Sequence, residues 1–153
     1  MLGRPYWYLV PCTGVDVADL QDTLDALRAR EFTAGRYHPA VPNVDFVEPA
    51  FSRQQRGARH DSIEDAIMDA GEEGTRSILD IHTVSTRPGF GVASPFPRAA
   101  YLELYGTERP TQHQVRANKD FLGWTSPAQC IYLLVHGESD VPEHVLFAGR
   151  SFG

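Results

Sequence analysis

Cys130-Ile131-Tyr132-Leu133-Leu134-Val135, a polar connection from Gly137 to Pro142, and Val145-Leu146-Phe147-Ala148 form the stretch whose reading decides the fold. Two short apolar runs separated by turn-forming residues read as a β-hairpin. The first run has no polar interruption, which suggests a strand covered on both faces or lying in the middle of a sheet; its shortness and its Ile and Val favour strand over buried helix. The chain is therefore expected to end in an antiparallel pair.

Upstream, Tyr6-Trp7-Tyr8-Leu9-Val10 is aromatic and aliphatic and is broken by Pro11 and Gly14, so a first strand followed by a turn is expected. Asp16 is placed to cap a helix in which Val17, Leu20, Leu24 and Leu27 recur at three- and four-residue spacing, with Gly35 as its stop. Ser62 followed by Asp65 resembles a capping box, and Ile63, Ala66, Ile67 and Ala70 form the apolar face of a second helix ending at Gly71. The run from Arg76 to Val84 mixes apolar and β-branched residues and reads as a second strand, and Arg87 to Pro97, with two glycines and three prolines, as a turn region. Two more helices are expected, at about Arg98 to Tyr105 and about Thr111 to Leu122, closed by Gly106 and Gly123. The order is β-α-α-β-α-α-β-β. It implies an α+β domain with a mixed or antiparallel sheet of about four strands and helices mainly on one face.

At 153 residues, with 42% hydrophobic and 22% charged residues, the chain suits a single globular domain over 1–153. No apolar stretch reaches the length of a membrane span, and the two cysteines, Cys12 and Cys130, show no paired spacing. A soluble protein of a reducing, cytoplasmic compartment, with no membrane partner, is expected. The net charge of −6 argues against general nucleic-acid binding. The charge is uneven: Asp16, Asp19, Asp22 and Asp25 form one acidic run, and Asp61 to Glu73 holds six acids without a base.

The candidates for chemistry are few. Cys12 sits in a Pro-Cys-Thr-Gly turn before a helix, where backbone donors could favour a thiolate, although Asp16 and Asp19 oppose this. Asp80 and His82 are two apart on the expected second strand and would project from one face, able to share a proton or a metal. His136 and His144 flank the hairpin connection and would stand nearly opposite each other. Zinc usually needs a third or fourth ligand, and none stands at recognisable spacing, so no metal is expected; with no phosphate-loop or dinucleotide pattern either, no cofactor is expected.

Residues 36–60 carry neither period, and Pro39, Pro42 and Pro49 keep them extended, so a long irregular loop is expected. Tyr37, Phe46 and Phe51 lie there beside Arg53, Arg56, Arg59 and His60, and aromatic anchors next to arginines are what binding surfaces are made of. Two functions follow as expectations. One is a small protein-binding domain, inhibitory, immunity-like or regulatory, that uses this loop and the acidic helix faces. The other is a small enzyme in which arginines hold an anionic metabolite and Asp80, His82 or Cys12 does the chemistry.

Overall fold

A computed structural model of the chain describes residues 3–40 and 57–152. Strand β1 (Pro5–Pro11) leads to helix α1 (Val17–Ala34), and after residues 41–56 come α2 (Ile63–Ala70), β2 (Thr83–Val84), β3 (Val92–Pro95), α3 (Arg98–Tyr105), α4 (Gln112–Ala117), β4 (Cys130–His136) and β5 (Pro142–Arg150). The caps sit where side-chain chemistry puts them. Asp16 accepts the Asp19 amide, Ser62 accepts the Asp65 amide, and Thr111 with Gln114 completes a reciprocal box. Gly35 ends α1 and Gly106 ends α3, both in the left-handed conformation.

The expected C-terminal hairpin is present, and the domain is α+β with a mixed sheet. The sheet has five strands, not four, in the order β1-β5-β4-β3-β2. β5 runs antiparallel to both of its neighbours, β1 and β4; β4, β3 and β2 run parallel. The added strand, β3, lies inside the region read as a turn; its one proline, Pro95, is its last residue and turns its backbone away from β4, so it removes no ladder donor. The expected strand from Arg76 to Val84 shrinks to Thr83–Val84. Ahead of it, Ser77 accepts the Leu79 amide, Ile78–Asp80 form a single 3-10 turn, and the Asp80 carboxylate takes the Thr75 amide and hydroxyl. Local side-chain bonds of this kind give the backbone an alternative to a ladder. The expected helix over 111–122 likewise divides into α4 and a 3-10 segment, Asp120–Trp124, at Asn118, whose side chain bonds to the Asp120 amide and the Leu104 carbonyl; Gly123 lies inside that segment and closes nothing.

Helices cover both faces of the sheet, correcting the expectation of one. On one face Leu20, Leu24 and Leu27 of α1 pack on Tyr6, Tyr8, Val10, Tyr132, Val145 and Phe147. On the other, Ala100, Tyr101, Val115 and Phe121 cover Trp7, Ile131, Leu133, Val135, Leu146 and Ala148. The uninterrupted apolar runs of β1, β4 and β5 require this, since alternate side chains emerge on opposite faces and both sets are apolar. At Gly149 of β5 a Cβ would strike the Tyr6 ring, so the absence of a side chain there makes room for that ring.

Every edge of the sheet is blunted. In β1 the even-numbered residues turn their backbone toward β5, as the bonds of Cys12 N–H to Glu143 O and Ser151 N–H to Arg4 O show at its two ends. Pro5, Trp7, Leu9 and Pro11 therefore face outward, and the two prolines carry no N–H, leaving two donors on the open edge. At the opposite edge the Gln21 side chain takes the place of a sixth strand: Nε2 donates to His82 O at 2.9 Å and Oε1 accepts the Val84 amide at 2.7 Å. Where β2 stops, β3 runs on alone. Ala93 still bonds to Ser85 and Phe96 to Tyr132, so the outward position between them is residue 95, again a proline. Among the described residues no helix is long and apolar enough to cross a membrane.

Candidate functional site

The best-organised polar cluster lies where residues 36–60 leave and rejoin the described chain. Past Gly35 the buried Arg36 turns back onto Glu31, with Nε 3.0 Å from Oε1 and Nη2 2.5 Å from Oε2; neither side chain is more than 6% exposed. The Gly57 amide bonds to Ala34 O, and its carbonyl lies where a Cβ of Gly35 would be, which with the φ of 75° at Gly35 leaves glycine as the residue for that position. Tyr37 is fully buried, stacked on Phe32 at 5.8 Å between centroids, and its hydroxyl is 2.8 Å from His60 Nδ1. His60 Nε2 lies 2.9 Å from the Asp69 carboxylate on α2. The Arg59 amide also donates to the Tyr37 oxygen, at 3.3 Å. Burial raises the Tyr37 pKa, so the phenol keeps its proton and serves as a clamp.

Three of the residues expected to bind, Tyr37, Arg59 and His60, thus come together, two as structural anchors and Arg59 with its side chain exposed. Phe46, Phe51, Arg53 and Arg56 lie outside the described residues. Beside the clamp, α2 buries Ala66 and Ala70 and turns Glu64, Asp65, Met68 and Asp69 outward, with Met68 80% exposed. Of the six acids from Asp61 to Glu73, Asp69 meets His60, and Glu73 meets His38 and Arg76. Asp61, Glu64, Asp65 and Glu72 have no ion pair among the described residues. On α1, repulsion from Asp16 raises the Asp19 pKa, a direct sign of crowded negative charge.

Cys12 does not converge with Asp80 and His82, which lie near enough to influence each other's titration. Asp80 closes a 3-10 turn and His82 follows it in irregular chain, so they do not share a strand face. Burial raises the Asp80 pKa against the lowering effect of its bonds from Thr75. His82 stands 3.3 Å from Arg28 Nη2, which also donates to Leu79 O; burial and then the Arg28 charge lower the His82 pKa. Cys12 follows β1 at the other edge of the sheet, its sulfur 3.8 Å from Pro142 O, and burial raises its pKa, against the thiolate its turn had suggested. His136 and His144 are offset by a bulge at Val135/His136: His144 pairs with Val135 and reaches Gln112, while His136 pairs with Pro142. Among the described residues no three His, Cys, Asp or Glu side chains gather as a metal would require.

A different feature escaped the sequence. A pocket of about 330 Å³ opens over the bare stretch of β3, lined by Thr86, Pro88, Ser94, Pro97, Trp124 and Gln129 among others. It exists because β2 ends early, which periodicity could not show; the signal available was a tryptophan in a Gly-Trp-Thr-Ser-Pro context, half-exposed in the fold. A second cleft, of about 360 Å³, lies between β1 and α1 and is lined by Val10, Pro11, Thr23, Ala26 and Arg30 among others. Neither is lined by Cys12, Asp80 or His82. Compared with known proteins, the chain matches no family model, no curated protein and no solved structure.

Proposed function

We propose that the chain is a protein-binding domain, of the inhibitory, immunity-like or regulatory kind, that meets a basic partner with the outer face of α2 and the base of the 36–60 segment. The observation that carries this reading is the clamp. Tyr37, His60 and Asp69 tie both described ends of that segment to α2, and a long connection held at its base on rigid elements is how recognition loops are presented. The neighbouring surface supports it, with an exposed Met68 on a helix whose exposed Glu64 and Asp65 form no ion pair among the described residues: an apolar centre beside charge. Such a surface attracts basic partners and speeds their encounter, in a way that salt weakens. The separation of Cys12 from Asp80 and His82 at opposite sheet edges weighs against one catalytic site built from all three.

Capture from the native host tests the reading. The wild-type chain is expected to retain a basic protein at low salt and to lose it as salt rises, and the Glu64→Gln/Asp65→Asn/Glu72→Gln variant is expected to retain little. Equal recovery by the two, or recovery only as a free chain, overturns it.

A further inference from the structure

The pocket over β3 lies on the α3 face of the sheet, away from α1 and α2, and its chemistry is unlike that of the acidic surface. No lining residue bears a formal charge at neutral pH. Arg150 donates Nε to Thr125, Nη1 to Gly3 O and Nη2 to Leu122 O, so three of its five N–H donors are used within the fold. A charged ligand would lose hydration here and meet no charged side chain in the lining. One wall is the Trp124 ring, set edge-on to Phe96 at 5.6 Å, with Phe96 edge-on to Tyr101 at 5.0 Å. That stack fixes the orientation of an indole 37% exposed, and Pro88, Pro95 and Pro97 add flat apolar surface.

The polar lining is of one type. The side chains of Thr86, Ser94, Ser126 and Gln129 have no hydrogen-bond partner among the described residues, and Ser94 is 95% buried at the base of the pocket, being only 5% exposed. The outward backbone of Pro95 adds an acceptor with no strand to meet it. Hydroxyls and a carboxamide both donate and accept. They are satisfied by a ligand whose groups do the same, whereas a wholly apolar ligand would strand them at a desolvation cost.

From this combination we propose that the pocket binds a neutral, polyhydroxylated ring the size of a single pyranose, its C–H face on Trp124 and its hydroxyls on Ser94, Gln129 and the Pro95 carbonyl. The volume of about 330 Å³ is at the small end of ligand pockets, as a monosaccharide requires. The site is independent of the protein-binding surface.

Titration with glucose, galactose, mannose and N-acetylglucosamine, read by tryptophan fluorescence and saturation-transfer NMR, tests it, with glucuronate, glucosamine and adenosine as the other arms. At least one neutral sugar is expected to saturate with a millimolar Kd, as suits a ligand of about a dozen heavy atoms. Trp124→Ala and Gln129→Ala, checked for wild-type circular dichroism, are each expected to weaken it about tenfold. Should Trp124→Ala fail to fold, Gln129→Ala and the Trp124→Phe signal carry the test. Absence of any saturable signal from the neutral sugars at 100 mM (roughly a hundred times the expected Kd), a signal unchanged in both variants, or binding of glucuronate or adenosine as tight as that of the sugars overturns the proposal.

Discussion

Replacing Arg36 with methionine probes the base of the 36–60 segment most sharply. Glu31 is fully buried at the end of α1 and is held by two nitrogens of Arg36 and by the 43% exposed Arg30. Removing Arg36 leaves a buried carboxylate with one solvent-facing partner, and breaking a buried pair from one side costs about 3–5 kcal/mol. Against a total of about 5–15 kcal/mol for a domain, that is a large fraction, and at about 2–4 °C per kcal/mol for a chain of this size it lowers Tm by about 6–20 °C. Glu31→Leu strands the guanidinium and costs a similar amount. The double variant Glu31→Leu/Arg36→Met strands neither charge, so it is expected to be more stable than either single, which with those single costs requires a coupling of at least about 3 kcal/mol. Urea denaturation of the four proteins measures the cycle. Single costs below about 1 kcal/mol that simply add would show the pair to be solvated like a surface bridge and refute the reasoning.

Other perturbations follow from the same packing. Gly149→Ala drives a Cβ into the Tyr6 ring and is expected to destabilise the chain by about 1–3 kcal/mol in urea melts. Gln21→Ala uncovers the β2 edge, and hydrogen exchange at the Val84 amide is expected to accelerate by about tenfold or more, corresponding to roughly 1–2 kcal/mol for the lost bonds; unchanged exchange would show the side chain to be incidental. His38, His82 and His136 all have native pKa values lowered from 6.5, chiefly by burial and next by Arg76, Arg28 and Arg109 respectively. The unfolded chain then binds protons more readily, so their contribution is present above pH 6.5 and is lost as pH falls through the native values. Denaturation midpoints are expected to drop from pH 7.5 to pH 5.5 (about one unit either side of the ordinary His value), and to drop less in His82→Gln. Asp80 acts in the opposite sense at lower pH: its raised pKa stabilises the native state most below 3.8, an effect absent in Asp80→Asn.

Where one side-chain pattern decides an element, the sequence was enough. The hairpin followed from two apolar runs and a polar turn, and α1 and α2 from caps and stripes that the structure keeps in place. Features set by competition or by distant partners were hidden. Ser77 and Asp80 divert their own backbone, which shortens the expected strand and takes Asp80 and His82 off a common strand face. β3 has four residues, only Ala93 of them paired with strands on both sides, and gains its identity from neighbours that sequence periodicity does not see. The clamp was visible only as residue types: Tyr37 and His60 were singled out as a binding surface, but the partner that makes them structural, Asp69, sits on a helix read separately. The pocket at Trp124 depends on where β2 stops and so could not be read from either strand alone.

The protein-binding reading meets its most direct test in a photo-activated cross-linking side chain placed at Met68 on α2 and, as a control, at Leu102, an exposed apolar residue on α3. In the native host one basic protein is expected to cross-link from position 68, fading as salt is raised, and not from position 102. No adduct from position 68, or the same adducts from both positions at every salt concentration, would contradict it.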